Sequence, residues 1–195
     1  MISAIILAAG ESKRMGNPKM LLPWAQSTVL GQVILSLKRA GINEILVVTG
    51  AERNKVEKLT DDLNIGSVFN ADYASGEMLS SIQTGLKALS KKVNAALICL
   101  GDQPQVEPEV VQQILQKYSE KPKLLVVPSY QMRRGHPWLV DRSLWVDILK
   151  IKPPKSTRDF LNSHVSEIVY IPVNTSSVVE DMDIPEDYEK FKPKE

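Results

Sequence analysis

The stretch LAAGESKRMGNPKMLLP, residues 7–23, changes from apolar to cationic at Gly10. An apolar run ends at Ala9, and a short segment with two glycines and three cations follows before the chain turns apolar again. Glycine allows tight turns and close approach of the backbone to a ligand, and exposed amides at a helix start favour anions. The glycine spacing matches neither a Walker A loop nor a dinucleotide fingerprint. These residues alone leave two interpretations open, a solvated cationic loop and a phosphate-binding loop.

The composition predicts one globular domain over residues 1–195, with 43% apolar and 24% charged residues. A net charge of +1 provides no overall field toward nucleic acid or an anionic membrane, so we expect neither as a partner. The first apolar run has no basic segment before it, unlike a signal peptide. The single cysteine, Cys99, lies in an apolar run, which favours a core residue over a catalytic thiol. One cysteine forms no internal disulfide, which suits a reducing cytoplasm, so we expect a cytoplasmic protein. The sequence has no obvious interface segment, so a monomer is the default.

Short apolar runs alternate with segments of helical periodicity along the chain. Such alternation predicts a mainly parallel sheet covered by helices on both faces. The predicted strands lie at 4–9, 45–49, 67–70, 95–100, 124–128 and 168–173, and the predicted helices lie at 28–40, 78–89 (with Ser75 as the candidate N-cap) and 110–118. Ligands bind such sheets outside the carboxyl ends of the strands. This rule selects the loops at 10–19, 50–54, 70–76 and 101–105.

The loop at 101–105 contains Asp102, directly after a predicted buried strand. A carboxylate at this position could bind Mg²⁺, which prefers carboxylate, water and phosphate oxygens. An aspartate that hydrogen-bonds its own turn is the commoner case. The residues alone leave both interpretations open.

The quoted stretch closely resembles the signature L-A-A-G-x-S-x-R-M-G-x-x-K-x-L-L-P of the MobA-like nucleotidyltransferases, which include molybdenum cofactor cytidylyltransferases and guanylyltransferases. The resemblance implies a three-layer α/β/α nucleotidyltransferase (Rossmann-like) fold with a mainly parallel central sheet. It implies that Arg14 and Lys19 hold a triphosphate. It also implies that the residues leading into the loop face the nucleotide; these are Leu7, Ala8, Ala9 and Gly10.

The resemblance extends to two acidic segments. Gly-Asp-Gln-Pro occurs at 101–104, where the aspartate of the family is a metal ligand, and EDMDIPEDYEKF at 180–191 is similar to the family's D-I-D-T-P-E-D. The second aspartate of that pattern approaches the same metal. The resemblance therefore implies that Asp102 and Asp183 bind Mg²⁺, although Met182 and Ile184 depart from the pattern.

The segment YASGEMLSSIQTGL, residues 73–86, resembles a family segment that contacts the base and ribose, usually written G-M-S-x-S. Ser80 and Ser81 are candidate nucleotide contacts, or else first-turn residues of a helix. Glu77 stands where the family usually has glycine. Ala9 stands where guanylyltransferases usually have glycine, and alanine is compatible with a pyrimidine base.

Arg-Gly-His-Pro at 134–137 is typical of the cytidylyltransferase branch, in its acceptor region. Arg134 and His136 are therefore candidates to hold the acceptor's phosphate or pterin, and Arg158 is a weaker candidate for the same role. A lone histidine is more often structural than catalytic.

Together these features predict a magnesium-dependent cytidylyltransferase that moves CMP from CTP onto molybdopterin cofactor and releases pyrophosphate. The residues expected to carry catalysis are Arg14, Lys19 and Asp102, acting through positioning and electrostatics. A recipient molybdenum hydroxylase is an implied partner. The alternatives are guanylyl transfer, nucleotidyl transfer to a sugar or alcohol phosphate, and a non-catalytic protein that delivers the cofactor.

Overall fold

Strands and helices alternate along most of the chain in the computed structural model, which describes residues 1–120 and 125–193. The strands are β1 (Ile2–Ala8), β2 (Pro23–Trp24), β3 (Ser27–Thr28), β4 (Glu44–Thr49), β5 (Gly66–Phe69), β6 (Ala95–Leu100), β7 (Leu125–Tyr130), β8 (Arg133–Arg134), β9 (Trp138–Asp141) and β10 (Ile168–Pro172). The helices are α1 (Val29–Arg39), α2 (Arg53–Asp62), α3 (Glu77–Ala88), α4 (Pro108–Glu120), α5 (Trp145–Lys150), α6 (Thr157–Ser163) and α7 (Pro185–Phe191).

Eight strands form one sheet in the order β10-β7-β9-β6-β1-β4-β5, with β8 paired to β7. Strand β1 is parallel to β4 on one side and to β6 on the other. The chain moves outward from β1 through β4 to β5 and then returns to β6, so the direction of winding reverses between β1 and β6. Ligands bind at such a switch point, outside the carboxyl ends of the strands.

The central strands are apolar on both faces because each face is covered by helices. Ile6 on β1 packs with Ile34 of α1 and Ile114 of α4 in one buried cluster. Its neighbour Ile5 belongs to a second cluster, with Ile82 of α3. Successive residues of a strand point to opposite faces, so these two clusters are the two interfaces of a three-layer α/β/α arrangement. The predicted fold class is confirmed.

Several details differ from the predicted elements. The predicted strand at 124–128 begins at Leu124, which lies outside the described residues, and the described strand is Leu125–Tyr130. The prediction of Ser75 as an N-cap was wrong, because α3 begins one residue later than that assignment needs and its N-cap is Gly76. The sequence analysis missed β9, which pairs antiparallel with both β6 and β7. Cys99 is buried, as expected of a core residue.

None of the helices in residues 1–120 and 125–193 combines the length and the apolar character that a membrane span requires.

Candidate active site

The loop after β1 lies directly beside the loop after β6. The Gly101 N–H donates a hydrogen bond to the Leu7 carbonyl oxygen at 3.0 Å, which joins the two strand ends. Within the first loop, Ser12 and Gly16 have left-handed backbone angles, φ +51° and +70°. Glycine adopts such angles at little cost. The Ser12 hydroxyl accepts the backbone N–H of Lys19 at 3.2 Å, so the loop folds back and brings Lys19 to the switch point.

The Lys19 ammonium lies between two carboxylates. It forms an ion pair with Asp102 and lies 3.2 Å from Asp183 Oδ1, and it also donates to the Met182 carbonyl oxygen at 3.3 Å. The Lys19 side chain is only 12% exposed. Burial acts to lower the pKa of Lys19, but the two carboxylates outweigh it and the pKa is raised. Lys19 is therefore a fixed positive charge at neutral pH.

Arg14 approaches the same carboxylate from the solvent side. Its Nη2 lies 2.7 Å from Asp183 Oδ2, and its side chain is 70% exposed. An exposed ion pair of this kind contributes about 0–1 kcal/mol. Arg14 can therefore exchange Asp183 for a phosphate oxygen at small cost, and a guanidinium can hold two such oxygens at once.

The segment that carries Asp183 is anchored by a buried methionine. Met182 is fully buried in a cluster with Met15, Trp24 and Val29, so the departure from the family pattern at this position serves packing. The Asp187 carboxylate accepts the backbone N–H of Asp183 at 2.9 Å. These contacts hold Asp183 against the loop after β1.

Two glutamines, missed by the sequence analysis, tie the loop after β6 to the C-terminal segment. Gln103 Nε2 donates to the Glu180 carbonyl oxygen at 3.1 Å, and Gln105 Nε2 donates to the same oxygen at 2.9 Å. Gln103 also reaches Asp181 Oδ1 at 3.4 Å. Burial, together with the carboxylates of Asp102 and Asp183, raises the pKa of Asp181. The carboxylates thus form a concentrated negative charge that Lys19 partly compensates.

The chemistry of these donors fits a divalent cation. Asp102 and Asp183 both contact one atom, Lys19 Nζ, so oxygens of both can reach a single small cation. Mg²⁺ is commonly bound by one or two carboxylates together with substrate phosphates and water. In the described part of the chain, no group of three or more histidine, cysteine or acidic side chains is arranged to hold a metal ion. The two carboxylates therefore suit a cation whose remaining ligands come from a bound substrate and water.

The residues leading into the first loop are buried up to its first glycine. Leu7, Ala8 and Ala9 are buried, whereas Gly10 is exposed. Ala9 lies against Gly50, where an added Cβ would overlap the Ala9 carbonyl oxygen. Gly50 therefore allows the loop after β4 to pack directly on the end of β1.

Ser80 and Ser81 lie in the first turns of α3, and both hydroxyls interact with Asn70. Asn70 Nδ2 donates to Ser80 Oγ at 2.8 Å and to Ser81 Oγ at 3.0 Å. Asn70 is buried and closes the loop after β5 by accepting the Asp72 N–H at 3.0 Å. These contacts correspond to the first-turn alternative, and a contact with nucleotide stays a prediction.

Glu77 has φ +49°, in the left-handed region that favours glycine. It stands where the resembling family usually has glycine, so its conformation agrees with that alignment. A glutamate here places a carboxylate at the start of α3.

Arg134, His136 and Arg158, the three acceptor candidates, line one cleft of about 1310 Å³. Arg134 is held in place: its Nε donates to the Tyr170 hydroxyl at 2.9 Å and its Nη1 donates to Asn162 Oδ1 at 2.7 Å. Arg158 is exposed on α6. The cleft therefore has a cationic rim.

His136 connects this cleft to the segment that leads to Asp183. Its backbone N–H donates to the Val178 carbonyl oxygen at 2.8 Å, and a Cβ added at the neighbouring Gly135 would overlap Val178. His136 Nε2 is buried without a hydrogen-bond partner among the described residues. Burial lowers the pKa of His136 from 6.5 to about 4. The imidazole is therefore neutral at neutral pH and adds no charge toward a phosphate.

Replacing His136 with asparagine is expected to flatten the pH dependence of stability between about pH 4 and 6.5. The pKa of His136 in the folded protein, about 4, is below its ordinary value of 6.5, so the unfolded chain binds a proton first as the pH falls. The free energy of unfolding of the wild type should therefore decrease by up to about 3 kcal/mol across this window through His136. Urea denaturation at several pH values measures it. A His164→Asn control should retain the slope, and an equal slope in the His136→Asn variant would contradict the buried neutral imidazole.

The glycine-containing cationic loop lies beside a carboxylate turn at the switch point of a mainly parallel sheet, which is where α/β proteins of this class bind their ligands. Residues 4–168 match the MobA-like NTP transferase domain, and the chain belongs to this family. Asp183 lies beyond the matched residues.

Two relatives resemble almost the whole chain. The molybdenum cofactor cytidylyltransferase of Escherichia coli (strain K12) is 28% identical over 190 residues, covering 96% of this chain and 93% of the relative. The nicotine blue oxidoreductase of Paenarthrobacter nicotinovorans is 29% identical over 194 residues, covering 95% and 93%. The two names describe different chemistry, so identity alone does not select an activity.

Among solved structures, the Rv0371c protein of Mycobacterium tuberculosis H37Rv is similar to this chain, with a TM-score of 0.83 and 25% identity over 97% of this chain and 96% of that one. A manganese complex of Rv0371c gives a TM-score of 0.80 and 24% identity over 98% and 97% of the two chains.

Proposed function

We propose that this protein is a magnesium-dependent cytidylyltransferase that transfers CMP from CTP to the phosphate of molybdopterin cofactor and releases pyrophosphate. The observation that supports this proposal best is the arrangement at the switch point, where Lys19 lies between Asp102 and Asp183 with Arg14 beside it. The similarity to the Escherichia coli cytidylyltransferase supports the choice of reaction and acceptor.

In the proposed reaction, an acceptor phosphate oxygen attacks the α-phosphorus of CTP in line, and the bond from that phosphorus to pyrophosphate breaks. Lys19 and Arg14 neutralise the charge that develops on the phosphate oxygens. Asp102 and Asp183 would hold the divalent cation, which, when bound, supplies further charge neutralisation. The manganese complex of Rv0371c supports a divalent cation. Catalysis then depends on positioning and electrostatics, without a covalent intermediate on the protein.

The remaining candidates divide between the two substrates. The backbone of Leu7, Ala8, Ala9 and Gly10 would contact the nucleotide, with Ser80 and Ser81 near its base or ribose. On the acceptor side, Arg134 and Arg158 supply cations for the phosphate. His136, being neutral, would act there as a hydrogen-bonding group.

Cofactor delivery without catalysis is a weaker proposal, because a delivery protein needs no combination of cationic loop and carboxylate pair. Under the proposed cytidylyltransferase activity, a molybdenum hydroxylase would receive the product after transfer. The nicotine blue oxidoreductase relative suggests a different alternative, an oxidoreductase. An oxidoreductase would transfer electrons to or from its substrate and would not release pyrophosphate.

Pyrophosphate release tests the proposal directly. The purified protein is incubated with Mg²⁺, molybdopterin cofactor and, separately, CTP, GTP, ATP or UTP, and each reaction is repeated without the acceptor. We expect release with CTP that depends on the acceptor. Preference for another nucleotide would support nucleotidyl transfer but change the assigned base. No release with any of the four nucleotides would contradict the proposal. Replacing the acceptor with a sugar phosphate distinguishes the remaining nucleotidyltransferase alternative.

A further inference from the structure

Three side chains of the loop after β6 bond one segment that follows β10. The three are Gln103, Gln105 and Glu107, and we refer to them as the clamp. The Glu107 carboxylate accepts the Thr175 hydroxyl at 3.0 Å and the Ser177 hydroxyl at 2.6 Å. Both glutamine amides donate to the Glu180 carbonyl oxygen. The clamp therefore holds residues 175–180 against the loop after β6.

The clamp lies largely out of reach of water. Gln103 is 3% exposed and Ser177 is 5% exposed. A carbonyl oxygen has two lone pairs, and the Glu180 oxygen receives one donor from each glutamine, so its capacity is filled. A buried hydrogen bond is costly to break, because the group that loses its partner stays away from water. The Glu180 backbone is therefore fixed relative to the loop after β6.

Each side of the clamp leads directly to one carboxylate of the candidate site. Asp102 immediately precedes Gln103. Asp183 follows Glu180 by three residues. The packing of Met182 joins the Asp183 segment to the loop after β1, whereas the clamp joins it to the loop that carries Asp102. The separation of the two carboxylates therefore depends on the clamp.

This separation matters because a small cation shared by two carboxylates tolerates little change in their positions. Mg²⁺ requires near-octahedral geometry, with oxygens at about 2.0–2.1 Å. Groups that hold metal ligands in place commonly change metal affinity by about 10- to 100-fold when they are replaced. Glutamine is neutral, so the two glutamines can act on the cation only through the positions of the carboxylates.

We propose that Gln103 and Gln105 are positioning residues for the divalent cation. By fixing the Glu180 backbone, they set the separation of Asp102 and Asp183. Neither glutamine is a ligand of the cation. The clamp makes the two carboxylates a preformed pair before a nucleotide arrives. This inference rests on the proposed function only in assigning the cation to Asp102 and Asp183.

Mn²⁺ binding without nucleotide or acceptor tests the inference separately from transfer. The Gln103→Met/Gln105→Met double variant keeps side chains of similar length and removes both donors, and electron paramagnetic resonance measures its Kd for Mn²⁺. We expect binding about 10- to 100-fold weaker than in the wild type. Each single variant retains one donor to the Glu180 carbonyl oxygen, so it should show a smaller loss. The single variants carry the test if the double variant does not fold.

A second background shows whether the glutamines act through Asp183. Asp183→Asn by itself should weaken Mn²⁺ binding, because it removes one carboxylate. Adding the two glutamine substitutions to Asp183→Asn should cause at most a small further loss, since the group that they position is already gone. A general loosening of the fold would instead lower the affinity by the same factor in both backgrounds.

Gln83→Met is the matched control. Gln83 Nε2 also donates to backbone carbonyl oxygens, those of Ile148 at 2.9 Å and Ile151 at 3.0 Å, and it joins α3 to the end of α5. This variant should lower Tm as the single clamp variants do and leave the Kd for Mn²⁺ unchanged. Unchanged Mn²⁺ affinity in the clamp variants, an equal loss in Gln83→Met, or an equal loss in the Asp183→Asn background would overturn the inference and leave the metal assignment intact. Absence of Mn²⁺ binding by the wild type would contradict the metal assignment itself, and the inference with it.

Discussion

Replacing Asp102 with alanine is expected to reduce kcat for nucleotidyl transfer by about a thousandfold or more. This side chain is one of two carboxylates proposed to hold the divalent cation, and such a cation contributes several kcal/mol of charge stabilisation in a transition state, where about 1.4 kcal/mol corresponds to tenfold in rate. The fold should survive, because Asp102 lies at a strand end and Lys19 retains its contacts with Asp183 and the Met182 carbonyl oxygen. Pyrophosphate release at saturating CTP and acceptor measures the effect.

Asp62→Ala is the matched control for this variant. Asp62 is exposed at the end of α2, away from the loops that carry the site, and its removal should leave kcat unchanged. Tm and circular dichroism establish that both variants are folded. Full activity of a folded Asp102→Ala variant would contradict the assignment of Asp102 to the metal.

Replacing Lys19 with methionine is expected to lower kcat/KM for CTP by about a hundredfold to a thousandfold, the usual loss when one preorganised charge stabiliser is removed. The same variant should bind Mn²⁺ more tightly than the wild type when nucleotide is absent. The ammonium of Lys19 occupies the space between Asp102 and Asp183, so a cation must compete with it there. Without the ammonium, the two carboxylates and Asp181 repel one another and attract a cation more strongly.

Titration with Mn²⁺, followed by electron paramagnetic resonance, measures this binding, and steady-state kinetics measure the loss of activity. Lys58→Met is the control, because Lys58 is exposed on α2 and should affect neither quantity. Weaker Mn²⁺ binding in Lys19→Met, or an unchanged kcat/KM, would contradict the proposed position of the cation. The two readouts are expected to change in opposite directions, which a general loss of structure would not produce.

The elements of the fold that could be predicted are those whose pattern is local. The runs that form β1, β4 and β6 are apolar on both faces, and helix α1 has apolar residues at helical spacing, so each could be recognised without its neighbours. Strand β9 is only four residues long and lies antiparallel between β6 and β7. No local sequence pattern predicts this pairing with β6 and β7.

The location of the candidate site could also be predicted from local patterns. The contacts between its residues could not be predicted in this way. Arg14, Lys19 and Asp102 follow strand ends that the alternation of strands and helices places at one edge of the sheet. The ion pair of Lys19 with Asp183 joins residues 164 positions apart, and the hydrogen bond of Gln103 to Glu180 joins residues 77 apart.

The anchoring of Met182 beneath Met15 and Trp24 also has a consequence for how the protein is made. A nascent chain that has passed the loop after β6 already contains Lys19 and Asp102, but the segment bearing Asp183 must still be translated and must then dock onto the loop after β1. Asp102 alone is then available to compensate the charge of Lys19. The site is therefore completed only after nearly the whole described chain has left the ribosome, so that a truncated translation product would lack the second carboxylate.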